Sequence, residues 1–371
     1  MKKAVVILPT YNESKNIGRL IEEIFEQQKK LKQWELTILV VDSSSPDGTA
    51  AIVKKSKSVR EDLKLLETPK EGLGKAYIAG FTHALKNLEP DVIFEMDADF
   101  SHSPEKIPVF LNTIDEGADF VIGARYIKDG SIPKDWAFHR KLFSVLGNLI
   151  VRFGMMKLSI TDWTSGFRAM KTWIVREITP ELSNYSGYVF QVALLDKALK
   201  RKAKVKEIPI HFLDRKYGTS KINSGQYIAE TLFYVFTKSS FIRYVIVGLI
   251  GAVLDFGLSY ILIERLYAYL WLATLISAET AIISNFLFNN FWSFSHKKLE
   301  ARASLYFSKF VKFNVISTGS LIIQAGGIEL LATFFGKKYW YLYKIFLLAF
   351  IVIPYSYILY NKVIWKEKKQ D

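Results

Sequence analysis

The chain has no cysteine. Disulfides and thiolate metal sites are therefore excluded. An N-terminal signal is lacking too. The opening Met1-Lys2-Lys3-Ala4-Val5-Val6-Ile7-Leu8-Pro9 has too short an apolar run for a signal peptide, so the N-terminal part is expected in the cytosol. Negative charge is in deficit, with 36 Asp and Glu against 50 Lys and Arg and a formal net charge of +14. Such an excess suits nucleic acid, an anionic membrane surface or phosphorylated substrates. At 371 residues the chain invites a two-domain reading, and its halves differ: charged residues concentrate before about Lys238, apolar ones after it. Those later apolar segments favour membrane and phosphorylated substrates, and argue against nucleic acid.

One stretch stands at the centre: Glu95-Met96-Asp97-Ala98-Asp99-Phe100-Ser101-His102. It follows Val92-Ile93-Phe94, which reads as a buried strand, and Pro104 then opens a helix. Asp97 and Asp99, two residues apart at a strand end, repel each other unless something positive sits beside them. A hard divalent cation whose shell is completed by a substrate phosphate meets that need, and a solvated acidic turn is the bland alternative.

Around it the chain alternates. Ala4 to Leu8 reads as a strand, stopped by Pro9-Thr10-Tyr11-Asn12-Glu13. Ser14 reads as the N-cap of a helix through about Leu31, with Ile17, Leu20, Ile21, Ile24 and Phe25 at helical spacing. Strands follow at Leu36 to Val41, Leu63 to Leu66 and Phe120 to Gly123. The alternation implies a parallel sheet with ligand loops at the strand carboxyl ends. Asp42 at such an end suits hydrogen bonds from a ribose or base, whereas Asp47 suits a helix cap. Gly72 and Gly74 either let the backbone approach a diphosphate or serve a tight turn. Arg125 is placed to face the same crevice.

The loops Leu8-Pro9-Thr10-Tyr11-Asn12-Glu13, Val41-Asp42 with Ser45-Pro46-Asp47-Gly48-Thr49, and Gly72-Leu73-Gly74 with Ala76-Tyr77 recur in one family's order. So do Met96-Asp97-Ala98-Asp99 with Ser101-His102, Gly123 with Arg125-Tyr126, Thr164-Ser165-Gly166-Phe167-Arg168, and Arg215 with Gly218, Ser220 and Lys221. Together they resemble family 2 glycosyltransferases of the GT-A type, and within them the dolichol-phosphate mannose synthase branch of polyprenyl-phosphate hexose synthases. The resemblance spans residues 4–222 and implies an α/β, Rossmann-like GT-A domain. It implies donor binding by Pro9, Tyr11, Glu13, Val40, Asp42, Gly74, Asp97, Ala98, Asp99, Arg215 and Lys221. Mg²⁺ or Mn²⁺ is expected on Asp97, Asp99 and Ser101, with Asp99 the principal ligand. Asp99, Asp97 and Arg125 are the expected catalytic residues, and Arg125, Arg140 and Ser144 hold the acceptor phosphate. The implied reaction is inverting, from GDP-mannose to dolichyl or polyprenyl phosphate. Ser43 and Ser44 stand where the family carries Asp and Asn, which keeps a UDP-sugar donor open. Ala193 stands where many relatives carry an acid. No Q-x-x-R-W motif follows, which argues against a processive polysaccharide synthase. A non-catalytic lipid-linked sugar transporter is the alternative from another class.

Residues 136–153 carry an apolar helical stripe, either a core-facing helix or one lying on the bilayer. Arg140 and Ser144, four apart, share a face. Asp162 reads as a structural cap or a sugar contact. Domains are expected at 1–222, 223–240 (interfacial helices and linker) and 241–371. In the last, spans are predicted at 244–263, 270–291, 313–335 and 339–361, an all-α four-helix membrane domain in two hairpins. Lys and Arg bias puts the first domain and both termini on the cytosolic side, with Lys337-Lys338 an exception. Arg243-Tyr244, Val247-Gly248, Asn285-Phe286, Asn289, Trp292 and Phe294 resemble the GtrA-like membrane domain. Asp255, Glu279 and Glu329 within spans are either functional or paired in a tight bundle.

Overall fold

The computed structural model describes residues 1–183, 185, 187, 189–214, 224–297, 299 and 302–366. Two units make up the chain, Met1–Thr237 and Lys238–Asp371.

The first unit runs β1 (Lys2–Thr10), α1 (Ile17–Gln28), β2 (Trp34–Asp42), α2 (Thr49–Lys57), β3 (Leu63–Glu67), α3 (Leu73–Asn87) and β4 (Val92–Glu95). It continues with α4 (Ile107–Asp115), β5 (Phe120–Ala124), α5 (Phe138–Gly154), β6 (Arg168–Lys171), α6 (Thr172–Ile178), α7 (Val189–Lys200), β7 (Val205–Pro209) and α8 (Ser224–Lys238). The strands form one sheet in the order β3-β2-β1-β4-β6-β5-β7. Ala4, Val6 and Leu8 of β1 pack into a core with Ile17, Leu20 and Ile24 of α1. On the other face Ile7 and Val41 press against Gly80 of α3, where a Cβ would lie 2.8 Å from the Ile7 side chain. Cover on both faces is why these strands read as unbroken apolar runs.

Several expectations are corrected. The sheet is not wholly parallel, because β6 runs antiparallel to both β4 and β5. That strand has four residues, begins with an arginine and ends with a lysine, so no apolar run announced it. Helix α1 starts at Ile17 with Asn16 as its cap, not Ser14, whose N–H donates instead to Asp47 Oδ2 at 3.0 Å. It ends at Gln28 rather than Leu31. Helix α8 belongs to the first unit and is no mere linker: Tyr234 donates to Asp196 Oδ2 at 2.7 Å, and both are buried.

In the second unit run α9 (Ser240–Tyr260), α10 (Leu270–Phe288), α11 (Ala303–Phe335), α12 (Trp340–Leu347) and α13 (Ile353–Leu359), all but α11 followed by a π-helical turn. Four helical segments are long and apolar enough to cross a membrane: Ser240–Arg265, Leu272–Ser293, Ala303–Phe335 and Leu342–Ile364. The third begins ten residues before the predicted 313 and takes in Lys309 and Lys312, whose charges hid its start. Ser239 caps α9 by accepting from the Ile242 N–H at 3.0 Å. Asp255 accepts from Ser277 Oγ at 2.6 Å, which is the paired reading of this intramembrane charge. Glu279 and Glu329 lie on the exposed surface of this unit.

Candidate active site

The loops leaving β1 and β2 are tied together rung by rung. Thr10 Oγ1 donates to Asp42 Oδ1 at 2.8 Å, the Asn12 N–H to Ser45 Oγ at 3.0 Å and the Glu13 N–H to Thr49 Oγ1 at 3.0 Å. Asp42 also accepts from the Ser45 N–H and hydroxyl at 2.9 and 2.6 Å. Its buried carboxylate is thus the knot of the loop, and Asp42 is not among the residues that line the cavity. Burial opposes ionisation of Asp47, yet hydrogen bonds from Thr49 and Ser14 bring it down to about 2.

Three residues other than glycine take a left-handed backbone at these strand ends: Asn12 with φ 60°, Ser44 with φ 54° and Phe100 with φ 64°. For a bulky residue such as Phe100 that conformation is strained, and strain of this kind concentrates at functional sites.

The loops surround a cavity of about 350 Å³ lined by Pro9, Thr10, Tyr11, Glu13, Ser43, Lys70, Gly72, Leu73, Ala76, Asp97, Ala98, Asp99 and Gly187. Asp97 has a side chain 35% exposed, and Asp99 is buried with Oδ1 accepting from the Ser101 N–H at 3.0 Å. His102 is buried beneath them, stacked on Phe167, and its Nδ1 accepts from the Asp97 N–H at 3.1 Å. Burial pushes His102 down to about 4, so at neutral pH it is an uncharged prop for the Asp97 backbone. Burial also raises the carboxyl of Glu95 above the usual range, with Arg168 opposing the rise.

Among the described residues no three His, Cys, Asp or Glu side chains converge. The donor set at the loop is two carboxylates plus the buried hydroxyl of Ser101, whose Oγ has no hydrogen-bond partner among the described residues. Hard oxygen donors in that number suit a Mg²⁺ or Mn²⁺ that takes its remaining ligands from a diphosphate and water. The residues present fit the cation.

Arg125, expected to face the crevice, does not line the cavity: it is buried and forms a bidentate pair with Asp162, Nε to Oδ2 at 2.7 Å and Nη2 to Oδ1 at 2.8 Å. Its Nη2 also donates to Thr164 Oγ1 at 2.8 Å. Although burial would raise Asp162, this guanidinium holds it below the usual carboxylate range. Asp162 is therefore an ion-pair anchor and a structural cap of the turn that follows it, Oδ1 accepting from the Ser165 N–H at 3.1 Å, rather than an open sugar contact. Tyr126 and the Ser144 hydroxyl share a hydrogen bond of 2.6 Å, while Arg140 stacks over Trp136 and reaches Asp214 at 3.4 Å.

Of the predicted donor set, Pro9, Tyr11, Glu13, Asp97, Ala98 and Asp99 meet at the cavity. Val40 does not, because strand alternation turns it into the core. Arg215 and Lys221 lie outside the described residues. Lys70, which sequence reading left unassigned, lines the cavity with its ammonium 3.8 Å from the Tyr11 ring, and Ser43 and Gly187 line it too. Position alone signalled Lys70, as the cation ahead of the Gly72 corner. Gly74 is absent from the lining. A Cβ there would lie 2.9 Å from the Tyr185 carbonyl oxygen and 3.2 Å from Phe190, so close packing is what demands glycine. Gly74→Val is expected to destabilise by about 1–3 kcal/mol through overpacking, read as a lowered thermal midpoint.

Residues 5–179 match the family Glycosyl transferase family 2, and residues 243–365 match GtrA/DPMS, transmembrane domain. A protein named polyprenol monophosphomannose synthase from Mycolicibacterium smegmatis is 36% identical over 63% of this chain and 86% of its own length. A dolichol-phosphate mannosyltransferase from Pyrococcus furiosus is 31% identical over 87% of this chain and 88% of its own. An undecaprenyl-phosphate mannosyltransferase from Micrococcus luteus is 36% identical over 60% of this chain and 88% of its own.

Proposed function

The chain belongs to glycosyl transferase family 2, as a multi-pass membrane enzyme with a GT-A-like domain and a GtrA/DPMS transmembrane domain, and we propose that it transfers mannose from GDP-mannose to dolichyl or another polyprenyl phosphate. The observation that carries this reading is the pair Asp97 and Asp99 on the wall of the strand-end cavity, in a chain whose relatives are named for polyprenyl-linked mannose transfer.

The chemistry follows from the acceptor. Most sugar transfers need a base to deprotonate a hydroxyl. A phosphate monoester is already ionised near neutral pH, so one of its oxygens attacks the anomeric carbon as the bond to the diphosphate breaks and the electron pair leaves with it. No side chain has to take a proton. In-line attack inverts the centre, and an α-linked donor gives a β-linked lipid phosphate. The requirement is charge neutralisation. Asp97 and Asp99, with Ser101 beside them, would hold a divalent ion, which would supply positive charge to the departing diphosphate. Lys70 adds a cation to the cavity wall. Arg125, its charge matched by Asp162, serves the acceptor phosphate as a fixed hydrogen-bond donor more than as net charge, with Arg140 and Ser144 on the adjacent face of α5.

Helix α5 supports a membrane-facing role. Phe138, Leu142, Phe143, Val145, Leu146, Leu149 and Phe153 are all exposed in the first unit, as are Phe233 and Phe236 of α8. Between the helices an apolar recess of about 150 Å³ is lined by Phe143, Leu146, Ile150, Ile228 and Leu232. These surfaces suit the headgroup boundary and the first part of a polyprenyl chain. Charging them with Phe143→Asp and Leu146→Asp is expected to cut transfer to a long-chain polyprenyl phosphate about tenfold or more, while a short soluble prenyl phosphate is used within about twofold of wild type. Equal losses on both acceptors would count against lipid contact. The lysine-rich flanks support a cytosolic catalytic domain and cytosolic termini.

A UDP-hexose donor is the second reading, favoured by Ser43 in the cavity where the family carries an acid. Titration calorimetry with GDP and UDP in the presence of Mn²⁺ separates the two. Tighter GDP binding supports the mannose reading, and UDP binding alone would replace the donor while keeping the mechanism.

A further inference from the structure

Three buried polar side chains lie close behind the Asp97 loop, and the scheme above uses none of them. Glu95, the last residue of β4, is completely buried, with the Gln191 side chain as its hydrogen-bonding neighbour. Gln191, in the first turn of α7, is buried with its amide beside the Glu95 carboxyl. Arg168 lies directly across from Glu95 in the antiparallel β4–β6 ladder and is also completely buried.

Arg168 is a staple. Its Nε donates to the Ser165 carbonyl at 2.8 Å, its Nη2 to the Trp163 carbonyl at 2.8 Å and its Nη1 to the Gln191 carbonyl at 2.7 Å. It thereby joins the turn before β6 to the start of α7. That turn lies beside Asp97, since a Cβ on Gly166 would come to ordinary contact distance, 3.6 Å, of both Asp97 carboxyl oxygens. The start of α7 follows Gly187, which lines the cavity. A guanidinium keeps its charge at any working pH, and buried polar groups of this kind hold their places through one another. Asp162 is already taken by Arg125, and Glu95 is the carboxyl facing Arg168 across the ladder.

Resting on the transferase reading above, we infer that Glu95 is a positioning residue: with Arg168 and Gln191 it fixes the 163–166 turn and the start of α7 against Asp97. It touches no substrate and acts through the elements it holds.

Two variants of the full chain in detergent test this. Glu95→Gln keeps the shape and replaces the carboxyl with an amide. The double variant Glu95→Leu with Arg168→Met removes both polar side chains and, with them, the three bonds from Arg168 to main-chain carbonyls. In both, kcat for transfer is expected to fall roughly ten- to a hundredfold, with KM for the nucleotide sugar within about twofold, because the loss is one of alignment. Amide hydrogen exchange across 163–166 and 190–193 is expected to quicken in Glu95→Gln while the other strands stay protected. A double variant that melts like wild type and keeps wild-type kcat would overturn the inference. So would unchanged exchange in Glu95→Gln, or a raised KM at unchanged kcat, which would make Glu95 a donor-binding group. Were the wild type itself to transfer no sugar, the transferase reading would fail and the exchange measurement would still decide the role of Glu95.

Discussion

Asp99→Asn is expected to leave the chain folded and to lower sugar transfer by roughly a hundred- to a thousandfold, the scale of losing one electrostatic stabiliser of a developing negative charge. Asparagine is the informative replacement. Asp99 accepts from the Ser101 N–H at 3.0 Å, and an amide oxygen keeps that bond while the charge is gone. Alanine would break the turn and the charge together. Asp97→Asn is expected to show a loss of the same order, since its side chain is the more exposed of the two toward the cavity. Both variants should also shift the divalent-ion requirement to higher concentration. Unchanged thermal midpoints with lost turnover would locate the effect in chemistry. Turnover of Asp99→Asn within about threefold of wild type would remove the carboxylate pair from the mechanism.

The second large effect concerns stability. Asp162→Ala leaves the buried guanidinium of Arg125 without its bidentate partner, and breaking a buried pair from one side costs about 3–5 kcal/mol. For a unit of this size that corresponds to a midpoint lowered by roughly 6–20 °C. Because Asp162 titrates below its ordinary value of 3.8 when folded, its contribution is complete above that value and is lost as pH falls beneath it. The gap between wild type and Asp162→Ala should therefore be widest near neutral pH and close in acid. A gap that persists at low pH would mean that packing, not charge, is what Asp162 supplies.

Much of this was legible in the sequence, and the reasons differ by element. The strands β1, β2 and β4 declared themselves because burial on both faces leaves a continuous apolar run, and their carboxyl ends carry the turn and acidic residues that form the cavity. Strand β6 did not, since its arginine is spent on main-chain carbonyls that only the folded chain brings near. Asp97 and Asp99 could be read from spacing and charge. The fate of Asp42 could not: a carboxylate that knots two loops together looks, in one dimension, like one that awaits a ribose. The same holds for Arg125, whose partner Asp162 lies 37 residues away. Lys70 was overlooked because a lysine ahead of a glycine corner carries no pattern of its own. The exposed stripe of α5 illustrates the reverse case, in which periodicity fixed the face and only the fold decided that it is not core.

The most direct test is transfer by the purified full chain in detergent, with GDP-[³H]mannose and a polyprenyl phosphate, in Mn²⁺ or Mg²⁺ and again with a chelator. Expected is a labelled lipid phosphate carrying β-linked mannose, formed with the divalent ion and absent with chelator. Label that persists undiminished in chelator, an α-linked product, or no transfer from GDP-mannose would contradict the proposed metal-assisted, inverting mannosyl transfer.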